Sequence, residues 1–121
     1  MATYTEGTRL SDIVRWEPGK NYSRDDITVA NGENLAMGTV LGKVTSDETY
    51  KQIDFSATDG TENAAGILLE DVDASGGARK SIALVREAII LQEDLIWPSG
   101  ATNAQKSAAL SQLKELGIIT R

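Results

Sequence analysis

Ser81-Ile82-Ala83-Leu84-Val85-Arg86-Glu87-Ala88-Ile89-Ile90-Leu91 is the stretch on which the fold turns. Its aliphatic and β-branched residues suit a strand, and the charged Arg86-Glu87 pair divides them. The segment therefore reads as one long strand or as two joined across that pair. Just upstream, Ala64 to Leu69 runs from small to large apolar residues, the pattern of a strand buried on both faces. Asp73 to Gly77 lies between the two as a loop, with Ser75-Gly76-Gly77 its freest part.

Further toward the N-terminus the β character continues. Ile27-Thr28-Val29 is a short strand, and Asn31-Gly32 after it is a strong two-residue turn signal. Met37 to Thr45 is β-branched but punctuated by Gly38 and Gly42, which points to a bulge or a close backbone approach. Tyr50, Ile53 and Phe55 mark another strand, followed by a turn at Thr58-Asp59-Gly60. No repeat at a fixed period is present.

One helix is expected, near 103–116. Trp97-Pro98-Ser99-Gly100 halts the preceding element, and Thr102 with Gln105 three residues later fits a capping box. Leu110, Leu113 and Leu116, with Ala109 beside them, form the apolar stripe, and Gly117 can close the helix in a left-handed conformation. Lys106 and Lys114 fall on its other sides. Such a short helix is marginal alone and must dock. The resulting class is α+β, mainly β: a compact β-rich domain over 27–121 with one C-terminal helix.

Residues 1–26 differ. Leu10, Ile13, Val14 and Trp16 are their main apolar residues, set among charges of both signs and followed by the Pro18-Gly19 breaker. That is too little apolar surface to offset the entropy of ordering the segment by itself. A disordered leader, an arm that orders on a partner and an ordinary first strand all fit. Large aromatics are scarce, with two Trp, three Tyr and one Phe, and they dominate cores and interface anchors alike. Trp97 suits either core or subunit-interface packing, whereas Trp16, in a segment without a core pattern, suits an interface.

Composition removes many functions. The 121 residues contain no His and no Cys, which excludes disulfides, Ser-His-Asp and Cys-His catalysis and the usual zinc sites. A net charge of −6 opposes sequence-independent binding to nucleic acid. The apolar run ending at Leu91 is far short of the ~20 residues of a membrane span. No secretory signal is visible, so synthesis in the host cytoplasm is expected and the Asn21-Tyr22-Ser23 sequon is accidental.

Three chemical motifs fail on inspection. Asp71-Val72-Asp73-Ala74-Ser75-Gly76 begins like a calcium loop, but Ile82 stands where a bidentate Glu is needed. Gly42-Lys43 follows Gly38 too closely for a phosphate loop, and Val44 replaces the magnesium-holding hydroxyl. Asp25-Asp26, Glu70-Asp71 and Glu93-Asp94 are carboxylate pairs, yet neighbours on a strand point to opposite faces, so all three read as solvated surface charge. No catalytic residue, metal ligand or cofactor site is expected.

The order of several fragments is similar to that of the phage head-decoration proteins of the lambda-like, capsid-stabilising family. These are Ser11-Asp12-Ile13-Val14-Arg15-Trp16-Glu17, Asn21-Tyr22-Ser23-Arg24, Gly38-Thr39-Val40-Leu41-Gly42-Lys43 and Ala57-Thr58-Asp59-Gly60. Ala64 to Val72 and Glu93-Asp94-Leu95-Ile96-Trp97-Pro98 before an Ala-rich helix complete the set. The resemblance runs from about Leu10 to the C-terminus. It implies a non-enzymatic homotrimer on the outer surface of the expanded capsid, at threefold and quasi-threefold sites, stabilising the head against internal DNA pressure. Its partners would be the major capsid protein and itself, with neither nucleic acid nor membrane. The N-terminal arm, flexible when free, would carry the capsid contacts through Leu10, Ile13, Val14, Trp16 and Tyr22, with Trp97 and Pro98 as trimer-interface or core anchors. A phage tail or fibre adaptor is the alternative, followed by a small trimeric, metal-dependent nucleotide hydrolase.

Overall fold

The computed structural model describes residues 23–121 and the main chain of residues 14–16. Ten strands and one α-helix are present among the described residues. They run β1 (Val14–Trp16), β2 (Arg24–Val29), β3 (Asn34–Leu35), β4 (Val40–Lys43), β5 (Tyr50–Gln52), β6 (Gly66–Leu68), β7 (Val72–Asp73), β8 (Arg79–Leu84) and β9 (Ala88–Ile90). A 3-10 turn (Gln92–Asp94), α1 (Asn103–Glu115) and β10 (Ile118–Thr120) complete the order.

Five strands close a barrel in the order β2-β5-β4-β6-β8. The closing pair is β2 with β8, antiparallel over six residue pairs from Arg24↔Leu84 to Val29↔Arg79. The β2–β5 seam is much weaker, a parallel contact at Val29↔Tyr50 alone. Beside the barrel lies a three-stranded sheet, β1-β9-β10, in which β1 is antiparallel and β10 parallel to β9. Parallel neighbours need a long crossover, and α1 supplies it between β9 and β10.

Strand alternation splits the apolar residues into two cores. Leu41, Leu68, Ala83, Ile27, Val29 and Tyr50, drawn from all five barrel strands, fill the interior. Their chain neighbours Val40, Ile67 and Leu84 face outward and pack under Ala109 and Leu113 of α1, Ile90 of β9 and Ile118 of β10. Consecutive residues of β4 and β6 are therefore buried on both faces, which is why Ala64–Leu69 reads as an unbroken apolar run. Each such Leu or Ile contributes ~1.5–3 kcal/mol by leaving water.

The divided long strand is two strands. β8 ends at Leu84 and β9 begins at Ala88, and Glu87 between them takes φ 48°. Ser23 Oγ donates to the Glu87 carbonyl at 2.9 Å, and Arg86 pairs with Asp25 at 2.9 Å, fixing this corner against β2. The capping box is present as expected: Thr102 Oγ1 accepts from Gln105 N, and Gln105 Oε1 accepts from Thr102 N. Gly117, at φ 85°, ends the helix, where a Cβ would lie 2.6 Å from the Glu87 carboxyl.

Several expectations need correction. The first barrel strand starts at Arg24, three positions before Ile27, because β8 offers a pairing edge along its whole length. Asn31-Gly32 does form a turn, but it joins β2 to β3, which belong to different sheets, so no hairpin results. Asp73 lies in the two-residue strand β7 rather than in the loop, paired with Asn34. Of Met37–Thr45 only Val40–Lys43 is strand, and of Tyr50–Phe55 only Tyr50–Gln52. The helix stripe is Ala109 and Leu113 with Leu110 half-buried; Leu116 is the C-cap and is 36% exposed. Gly42 meets its expected role, since a Cβ there would sit 2.4 Å from the Thr61 carbonyl oxygen.

Candidate functional site

The carboxylates are engaged in holding loops. Asp47, Asp54, Asp59 and Asp73 each accept, through Oδ1, from both the main-chain N–H and the hydroxyl of the Ser or Thr two residues on. These are Asx turns. Bonds from the Thr49, Thr61 and Ser75 groups lower the carboxyl pKa values of Asp47, Asp59 and Asp73. The Asp-x-Ser/Thr spacing was the available signal for these turns. Asp71 accepts from Met37 N–H at 2.8 Å, so both acids of the calcium-like segment have structural partners. The pairs read as solvated charge are likewise partly tied: Asp25 to Arg86, and Glu70 to the Ser81 hydroxyl at 2.9 Å.

Gly42-Lys43 lies within β4 rather than in a loop, and Lys43 is bound to Glu48 at 3.2 Å above the Tyr50 ring. Glu48 raises the Lys43 pKa chiefly through that bond. Among the described residues no group of three or more His, Cys, Asp or Glu is placed to hold a metal ion. No helix among them is long and apolar enough to cross a membrane.

What the molecule offers instead is strand edges and grooves. β1 pairs with β9 at Val14↔Ile90 and Trp16↔Ile89, with an irregularity between them, and forms one edge of the three-stranded sheet. The main chain of Val14 and Trp16 thus sits on a rigid element, while Leu10, Ile13 and Tyr22 lie outside the described residues. Most of residues 1–26, the segment expected to be an arm, lies outside them too.

Trp97 and Pro98 sit far along the chain from β1 and follow Ile96, whose main chain bridges to the start of β4. Ile96 N–H donates to the Gly38 carbonyl at 2.9 Å, and Val40 N–H donates to the Ile96 carbonyl at 3.1 Å. Trp97 packs against the outer core and stacks on Phe55, with centroids 6.4 Å apart, yet remains partly in solvent, as does Pro98. Gln112 was not singled out by sequence. It anchors α1 to the loop before β6, accepting from Ala64 N–H at 2.7 Å and donating to Asn63 Oδ1 at 2.8 Å.

A comparison with curated proteins finds no match. A family model described as bacteriophage lambda head decoration protein D matches residues 3–118, nearly the whole chain. A structural virion component fits a surface of edges and loop-holding carboxylates. The chain belongs to the bacteriophage lambda head decoration protein D family.

Proposed function

We propose that the protein binds as homotrimers to the outside of the expanded phage capsid, at threefold and quasi-threefold sites, and stabilises the head against the pressure of packaged DNA. The observation that carries this reading is the family match over residues 3–118. The N-terminal segment makes the capsid contacts, through Leu10, Ile13, Val14, Trp16 and Tyr22. Strand addition to a capsid sheet is its mode. The position of β1 at a sheet edge supports this, because an edge strand offers unpaired N–H and C=O groups. Trp97 and Pro98 act as core anchors for the segment leading into α1.

Stabilisation follows from mass action. A ligand that binds the expanded shell alone lowers its free energy by RT ln(1 + [L]/Kd), about 2.7 kcal/mol per site at a hundredfold excess over Kd. Three linked arms release slowly even when each binds modestly. Deleting residues 1–17 is expected to leave a folded protein that no longer coats expanded heads lacking it, as read by electron microscopy of mixtures. Unchanged occupancy on those heads would overturn the assignment of capsid binding to the N-terminal segment.

A further inference from the structure

The barrel is covered on one side only. The outer core lies over β4, β6 and β8, and in the barrel order the β2–β5 seam is opposite β6. At that seam a groove of about 450 Å³ opens between β2 and the β4–β5 hairpin. Its walls carry Asp25, Asp26, Asp47 and Glu48 against the single cation Lys43. Lys43 is bound to Glu48 and Asp25 to Arg86, which leaves Asp26 and Asp47 as the groove's uncompensated charge.

The groove is also an open strand edge. Val85 N–H bonds the Ser23 carbonyl, and Leu69 N–H bonds the Ile82 carbonyl, so Ile82 turns its main chain toward β6. The odd-numbered residues of β2 therefore bond to β8, and Ala30 N–H, of even parity, bonds to Tyr50 on the other side. Asp26 and Thr28 share that parity and direct main-chain groups into the groove.

A second groove, of about 250 Å³, lies on the helix side between α1 and β10 and is lined by Leu110, Lys114 and Ile118 to Thr120. Lys106, Leu110 and Lys114 follow one another at four-residue spacing, one face of the helix. Lys114 is exposed and has no carboxylate partner among the described residues. Here too an edge is open. Ala88 N–H bonds the Gly117 carbonyl and Arg121 N–H bonds the Ile90 carbonyl, so alternation turns Ile118 and Thr120 away from β9.

One chain thus carries two unlike open edges, one acidic and one cationic, on different sides of the barrel. A head-to-tail ring requires two different, complementary patches on each subunit. We propose that the α1–β10 face of one copy, led by Lys114, docks into the acidic β2 groove of the next copy, closing a ring. This rests on the homotrimer reading and names the surfaces that build it.

Sedimentation velocity across a concentration series tests the assignment. Lys114→Glu is expected to raise the concentration for half-assembly about tenfold or more, and Asp26→Lys to do the same. The double variant, which reverses the pair, is expected to assemble nearly as the unaltered chain does. Both positions are exposed, and unchanged circular dichroism separates loss of assembly from loss of fold. Raising salt from about 50 mM to about 500 mM is expected to weaken assembly of the unaltered chain. Trimers that form equally well in both single variants, or no recovery in the double variant, would overturn the docking surfaces alone. An unaltered chain that stays monomeric throughout would overturn the trimer reading with them.

Discussion

β6 and β2 are both barrel strands, yet they are buried differently. Every residue of β6 is buried, because one face fills the barrel and the other lies under α1 and the three-stranded sheet. In β2 only Ile27 and Val29 are buried, and the outward face is polar. The covered half of the barrel supplies stability, and the bare half is left free for contacts. The same five-stranded closure therefore yields a rigid side and a recognition side.

Substitutions at matched positions test that division. Ile67→Ala, at 0% exposure under the helix, is expected to cost about 2–5 kcal/mol, read from denaturant unfolding. Thr102→Ala removes one half of the capping box and is expected to cost about 1 kcal/mol, loosening the cover without opening the barrel. Ile82→Ala, at 36% exposure on the partly bare β8, is expected to stay within about 0.5 kcal/mol. A cost for Ile82→Ala as large as that for Ile67→Ala would break the comparison.

The smallest effect concerns acid. The Thr61 hydroxyl and N–H hold the Asp59 carboxyl below its ordinary value of 3.8. A group lowered in the folded state stabilises above its unfolded pKa, and that contribution is lost as pH falls through the lower native value. Asp59→Asn removes this titration, so its melting temperature is expected to fall less than that of the unaltered chain between about pH 5 and about pH 2. Parallel curves for the two proteins would show that the bond does not report on folding.

Local signals were legible and closures were not. The Thr102–Gln105 box and the Arg86-Glu87 break depend on neighbours in sequence, and both are present. β10 was missed because Ile118-Ile119-Thr120 is too short to show a period and gains its strand character from β9. Barrel closure between β2 and β8 is equally nonlocal. Val14 and Trp16 stood out as apolar residues without a core pattern; their strand partner lies far along the chain in β9, beyond any local window. The grooves at β2 and α1 were invisible because each combines elements remote in sequence.

The corner at Arg86-Glu87 has a mechanical meaning. β9 joins the three-stranded sheet to the barrel through it, so tension applied along β1 passes into β9 and then through this corner. The Asp25–Arg86 pair, the Ser23 bond to Glu87 and the Glu87 N–H bond to the Leu116 carbonyl brace it from β2 and from the end of α1. A braced joint transmits load without bending, so a pull on the sheet is shared by the whole barrel rather than peeling one strand away.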